Sequence, residues 1–329
     1  MHLPIRAHRS FLRSTALIAC LAVAVLVASC SSNDPDATAP PTSLAPPAEV
    51  DIPYGPVAGC DGIDGDCGGS QLLDIYRSEE DGPNPVVVWV HGGGFVGGDK
   101  SGSLSQYVQP MLDEGWDIVS INYRLSLENG DNAFPTGLLD VKRAVRWVKA
   151  NAAAQDWDQA AVAAMGISAG GNLVEMLAVT SGDESLEPPA QDLPPELQAV
   201  DSSIIGAVAL SPVSDMATFQ NLEFFSRAAA LYLDCTGDCS EQVAAGSVQT
   251  HVSPSAAPIL AIHGSLDTVA APSQGTVVQQ AYDAAGIGDR FTMIIVEDGP
   301  EQDRGHSPDL ERWAGDVLDF LDDQRPEPS

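Results

Sequence analysis

The sequence predicts an α/β fold, with a mainly parallel sheet and helices on both faces. Three observations point to it. Continuous apolar runs recur at residues 86–90, 161–165, 204–210 and 258–263, as strands buried on both faces require. Between them lie stretches with apolar residues three and four apart, the stripe of an amphipathic helix. Two of the runs end in glycine-rich turns, His91-Gly92-Gly93-Gly94-Phe95 and Gly166-Ile167-Ser168-Ala169-Gly170. Strands alternating with helices in this order are joined by crossovers and lie parallel.

Taken along the chain, Leu72-Leu73-Asp74-Ile75-Tyr76 reads as an early strand, and residues 86–90 as a fully buried one. Residues 117–124 form the next strand. Pro135 marks a turn, after which Leu138, Val141, Ala144, Val145 and Val148 make a helical apolar stripe. Lys142, Arg143, Arg146 and Lys149 take the other face and are expected to be solvated. Residues 161–165 are a strand leading to Ser168, and Gly171-Asn172-Leu173 opens a helix. Pro188-Pro189 and Pro194-Pro195 mark a loop. After the strand at 204–210, residues 216–252 turn helical and irregular, with Phe219, Phe224, Phe225, Leu231 and Tyr232 expected to pack. A strand at 258–263, a helix at 276–285, a strand at 291–296 and a helix at 310–321 complete the order. No internal repeat is evident.

A serine between two glycines at a strand-to-helix turn is a particular device. Gly166 and Gly170 leave room for the backbone to fold back, which lifts the Ser168 hydroxyl clear of the sheet. The N–H of Ala169 then faces any oxyanion forming beside it. Residues 91–95, directly after a strand, place three glycines where backbone N–H groups can face a ligand. Together these motifs resemble the α/β-hydrolase superfamily, close to the hormone-sensitive-lipase-like and feruloyl-esterase-like carboxylesterases. Tyr123-Arg124-Leu125 resembles a stretch common in that family, and the likeness runs from about Leu72 to Leu321. It implies the α/β-hydrolase fold, with a small lid at about 216–252 and with Gly93, Gly94 and Ala169 as oxyanion donors.

Serine is a poor nucleophile until a histidine takes its proton and a carboxylate orients that histidine. In this fold the chain order is serine, acid, histidine. His251, His263 and His306 follow Ser168. His263 ends a strand and is expected to pack there; His251 has no suitable acid before it. His306 sits in a loop before the last helix, from which it can reach across the sheet edge, and is the expected base. Asp267, just past a strand's C-terminal end in His263-Gly264-Ser265-Leu266-Asp267, is the expected acid. Asp215, Asp298 and Asp303 are its rivals.

The 329 residues carry a formal net charge of −31, and 44% are hydrophobic. Such acidity repels nucleic acid, while the apolar content allows a large core. Arg6, Arg9 and Arg13 precede an apolar stretch at 16–27 that is short for a membrane span. It ends in Val27-Ala28-Ser29-Cys30, which resembles a bacterial lipobox and implies a lipidated Cys30; an ordinary secretory signal is the alternative. A twin-arginine reading is set aside because its first arginine is missing. The expected organisation is a signal at 1–29, a Pro/Ala/Ser-rich tether at 30–53 that cannot order itself, and a catalytic domain at 54–329. In an oxidising compartment the remaining cysteines pair, with Cys60–Cys67 and Cys235–Cys239 the expected pairs. A zinc site is the rival, but the spacing fits metal ligands poorly. Asp61, Asp64 and Asp66 also miss the EF-hand calcium pattern, so no metal is expected.

The expectation is therefore an exported, lipid-anchored hydrolase of small carboxylic esters. It needs no cofactor, binds no nucleic acid and meets a membrane only through its anchor. An amidase or peptidase of the same fold, and a non-catalytic binding protein that keeps the fold, are the alternatives.

Overall fold

Apolar runs become strands here because each has a layer of helices above and below it. The computed structural model describes residues 44–55, 71–102, 105–127, 130–219, 226–308 and 312–326, all within one compact unit, Ser43–Ser329. The expected signal, Cys30, and the Cys60–Cys67 pair lie outside the described residues.

Eight strands form the sheet: β1 (Glu49–Pro53), β2 (Leu72–Tyr76), β3 (Asn84–Val90), β4 (Asp117–Ile121), β5 (Trp157–Ile167), β6 (Ala207–Leu210), β7 (Ile259–Gly264) and β8 (Phe291–Val296). Their order is β1-β2-β4-β3-β5-β6-β7-β8. The first two pairings, β1–β2 and β2–β4, are antiparallel, and all the others are parallel. Helices α1 (Ser105–Asp113), α2 (Thr136–Gln155), α3 (Ala169–Val179), α4 (Pro195–Gln198), α5 (Met216–Phe219), α6 (Ser226–Leu233), α7 (Ser240–Gly246), α8 (Ser273–Ala284) and α9 (Ala314–Asp323) connect or follow them. Among the described residues no helix is long and apolar enough to cross a membrane.

Strand side chains alternate between two cores, as the pleat requires. Val86, Val88 and Val90 of β3 face one core with Val141 of α2, Leu173 of α3 and Tyr282 of α8. Val87 and Trp89 face the other, with Met111 of α1 and Val317 of α9. The fold is thus the predicted one, and differences in strand and helix ends are small. The strand expected at 117–124 stops at Ile121; that at 204–210 starts at Ala207. The final helix starts at Ala314, with residues 309–311 outside the description.

Two expectations fail for physical reasons. Residues 49–53 do not belong to a tether: they pair backbone-to-backbone with β2 as an edge strand. Asp51 contacts the Lys100 ammonium at 2.9 Å, and the buried Tyr54 donates its hydroxyl to the Asn122 carbonyl. The backbone ladder supplies the order that the side-chain composition lacks. The basic face of α2 is not solvated either. Residues 183–203 fold back across it, so Lys142 is fully buried, donating to Thr180 O and Glu187, both at 2.8 Å. Arg146 pairs with Glu187 at 2.7 Å and Lys149 with Asp201 at 2.7 Å, while Arg143 donates to Asp192 O at 3.0 Å. Burial pushes the Lys142 ammonium pKa down, opposed by Glu187.

Candidate active site

Strand β5 runs into Ser168, and α3 begins at the next residue. Ser168 takes φ 57° and ψ −117°, a strained conformation for a residue with a Cβ. The neighbours explain how it persists. A Cβ on Gly170 would lie 2.1 Å from Val90 O, and one on Gly166 would lie 2.5 Å from Gly170 O. Ser168 N–H donates to Leu210 O at 2.8 Å, and Ser168 O accepts from Asn172 N–H at 3.0 Å. The elbow is thus tied to β6 and to its own helix. Ala169 is buried as the first residue of α3, where helical N–H groups have no intrahelical partner.

The structure brings three distant side chains together. The Ser168 hydroxyl donates to His306 Nε2 at 2.9 Å. His306 Nδ1 lies 2.9 Å from Asp267 Oδ2, and since a carboxylate only accepts, the imidazole proton sits on Nδ1. Asp267 Oδ1 accepts from the N–H groups of Val269 at 2.8 Å and Ala270 at 2.9 Å. Burial pushes the Asp267 carboxyl up, but the hydrogen bond and charge of His306, with those two N–H groups, hold it below the ordinary carboxylate range. Asp267 is therefore an oriented anion behind the imidazole.

The glycine loop after β3 presses on this elbow: a Cβ on Gly92 would lie 2.9 Å from Ile167 O and 3.2 Å from Ser168 Cβ. Gly93 and Gly94 take φ 118° and 62°. His91 stacks on Tyr123 with ring centroids 4.5 Å apart, and burial lowers its pKa. Phe95, which closes the loop, stacks on Tyr232 of α6 at 3.7 Å between centroids. The insertion at 216–252 is helical, as expected, and rests on the glycine loop through this pair; its residues 220–225 lie outside the description.

His263, His251, Asp215 and Asp298 stand outside this line of contacts. His263 is fully buried with Nδ1 3.1 Å from Ala270 O, and burial takes its pKa down to about 4. His251 Nε2 contacts Ala245 O at 2.8 Å. Asp215 accepts from Thr218 and Gln249, and Asp298 pairs with Arg312 at 3.0 Å. The sulfur atoms of Cys235 and Cys239, in the loop between α6 and α7, lie 2.12 Å apart. No cluster of metal-ligating side chains occurs among the described residues.

A cavity of about 390 Å³ opens beside Ser168 and His306, walled by the glycine loop, Ile167, Trp89, Tyr107 and Asp99. The sequence reading missed Trp89, Tyr107 and Asp99. Trp89 stands two residues before His91 on β3, so the strand period could have flagged it. Tyr107 comes from a helix with no motif of its own.

Residues 73–282 match the BD-FAE family. The probable carboxylic ester hydrolase LipM of Mycobacterium tuberculosis is 30% identical over 62% of this chain and 47% of its own length. Esterase LipQ of the same organism is 29% identical over 72% of this chain and 53% of its own. The chain thus spans about half the length of the curated relatives it matches. A truncated carbohydrate esterase from gut microbiota superposes with TM-score 0.70 at 25% identity, covering 84% of this chain and 96% of that one. With the family match extending over more than half of its residues, and a mainly parallel sheet carrying a serine elbow, the chain belongs to the BD-FAE family and has the α/β-hydrolase fold.

Proposed function

We propose that this chain is a serine hydrolase of small carboxylic esters. The observation that carries the reading is the line of contacts from Asp267 through His306 to Ser168, each 2.9 Å long. His306 takes the Ser168 proton as Oγ attacks the acyl carbon. The N–H groups of Gly93, Gly94 and Ala169 hold the tetrahedral oxyanion, and the Asp267 anion stabilises the imidazolium. His306 then protonates the leaving alcohol. Water, deprotonated by the same imidazole, releases the acid from Ser168. Each proton and each charge in this sequence has a protein group to receive it, so no metal or organic cofactor is called for. The esterases among the relatives support the same reaction. The cavity volume of about 390 Å³ supports a preference for short acyl groups, since a methylene that finds no wall gains little of the roughly 0.8 kcal/mol available from burial.

The wider setting belongs to the same reading. The chain is exported, anchored through a lipidated Cys30 and stapled by Cys60–Cys67 and Cys235–Cys239 disulfides, with residues 216–252 as a lid. Mass spectrometry of the mature N-terminus should find lipid on Cys30, and cleavage elsewhere without lipid defeats the anchor. For the chemistry, a fluorophosphonate probe should label Ser168, and Ser168→Ala should lower hydrolysis of aryl acetates by at least about a thousandfold. Retention of a tenth of the activity would overturn the assignment.

A further inference from the structure

We propose that Asp99 sets the charge selectivity of the cavity, so that esters bearing a positive charge are favoured and those bearing a negative charge are rejected. The inference rests on the reading of Ser168 as the nucleophile of an ester hydrolase. Asp99 lines the same cavity as Ser168 and His306. Among the described lining residues it is the only carboxylate, and none is lysine or arginine. The neighbouring Lys100 does not neutralise the cavity, because its buried ammonium is engaged by Asp74 at 2.8 Å and Asp51 at 2.9 Å.

The carboxylate is built in. Oδ1 accepts from the Ser101 N–H at 2.9 Å and the Ser101 hydroxyl at 2.6 Å, and Oδ2 from the amide of the buried Asn122 at 2.9 Å. Partial burial pushes the carboxyl up, but these bonds and Lys100 bring it down to about 2. It is an anion throughout the working range. The turn that carries it is wedged against the glycine loop: a Cβ on Gly98 would lie 2.3 Å from both His91 Nδ1 and Gly92 O. Its field reaches His91, whose protonated form it favours. Trp89 and Tyr107 of the same wall are buried and stack with centroids 5.3 Å apart, so the wall beside Asp99 is firm. A fixed anion on the wall of a concave site acts at close range on any charge that enters.

The test uses three acetyl esters of matched shape. Their alcohols carry a trimethylammonium group, its neutral isostere with carbon in place of nitrogen, and a sulfonate. The wild-type ratio of kcat/KM for the cationic ester to that for the anionic ester should exceed one. Asp99→Asn should reduce this ratio about tenfold, the order expected for one unit charge at close range in a medium between protein and water. Asp99→Glu should keep most of it. Because both esters are measured on one sample, incomplete folding of a variant cancels from the ratio. Asp158→Asn makes the same change in net charge at the far end of β5 and should leave the ratio unmoved. A change under twofold in Asp99→Asn overturns the proposal: the side chain then only braces Ser101 and Asn122. An equal change in Asp158→Asn also overturns it, since the preference then belongs to the net charge of −31. Ser168→Ala on the neutral isostere separates the two levels. Surviving turnover there defeats the nucleophile assignment, whereas its loss with an unmoved ratio defeats only the role of Asp99.

Discussion

A methyl group at Gly264 would lie 2.2 Å from Gly305 O and 2.3 Å from Arg304 O. Those are the residues immediately before His306, so the bare backbone of Gly264 lets the loop bearing the proposed base close over the end of β7, three residues before the proposed acid. Gly264→Ala is expected to displace the imidazole by a fraction of an ångström or more and to lower kcat by about a hundredfold. Steady-state kinetics with an aryl acetate, beside a circular dichroism check of folding, measures it; an unchanged kcat would mean that the loop yields freely. Glu175, seven residues past Ser168, is the other consequential side chain. It is fully buried, Oε2 accepts from the Ser214 hydroxyl at 2.5 Å, and Oε1 has no partner among the described residues. Burial raises its pKa from 4.5 to about 8, with Ser214 pulling the other way. In the unfolded chain the carboxyl loses its proton near 4.5, whereas the folded chain keeps it to about 8. Between those values the unfolded state binds fewer protons, so stability falls as pH rises, and the loss levels off above the folded value. Glu175→Gln removes that slope. It should be close to neutral at pH 4 and stabilising by about 3 kcal/mol at pH 7, read by urea unfolding at both. A pH-independent difference would show that Glu175 ionises normally. Neither residue was legible in the sequence, whereas the meeting of Ser168, Asp267 and His306 was expected from it. Those three stand in local motifs and in a chain order the fold dictates. The role of Gly264 arises only when a loop some forty residues on settles against it, and that of Glu175 only when β6's neighbour Ser214 does.

Helix α2 shows where reading an element in isolation breaks down. Its apolar stripe at Leu138, Val141, Ala144, Val145 and Val148 is buried as the helical period requires. The opposite face is basic, and a basic face implies water unless some other part of the chain supplies carboxylates. Residues 183–203, proline-punctuated and without period, supply Glu187 and Asp201, and carbonyls of Thr180 and Asp192 complete the set. Periodicity has no means of announcing such a partner. The distinction is measurable. Lys142→Ala should cost about 3–5 kcal/mol, because it leaves Glu187 short of a cation in a buried network; a solvated lysine would cost within about 0.5 kcal/mol. Denaturant unfolding at constant pH decides, and a cost at the low figure would return α2's basic face to solvent. The strands buried on both faces, by contrast, were legible to within a few residues of their ends, while the exposed edge strand β1 was not. An apolar run buried on both faces needs no knowledge of its partners, and β3 alternates between the two cores simply by its pleat.

At the scale of the whole molecule, the strand order places β1 and β8 at the two margins of the sheet. They differ in character. The first carries Glu49 and Asp51, whereas the last reads Phe291-Thr292-Met293-Ile294-Ile295-Val296, with no charge and no proline. Thr292 and Ile295 of β8 are exposed. Such a margin offers unpaired N–H and C=O groups to another strand. Molecules with a formal net charge of −31 each repel one another, and repulsion of that kind is short-ranged in salt, with a screening length of about 3 Å at 1 M. The protein should therefore have a shelf life that depends on its buffer: clear for weeks in dilute salt, and slowly forming strand-linked assemblies in concentrated salt. Thr292→Lys, facing solvent on that margin, should delay the onset severalfold in thioflavin fluorescence at high salt while hydrolysis stays at the wild-type level. Identical onset times would place the sticky segment elsewhere in the chain. For anyone formulating this protein, the last strand of the sheet, far in sequence from Ser168, then sets how concentrated a stock can be kept.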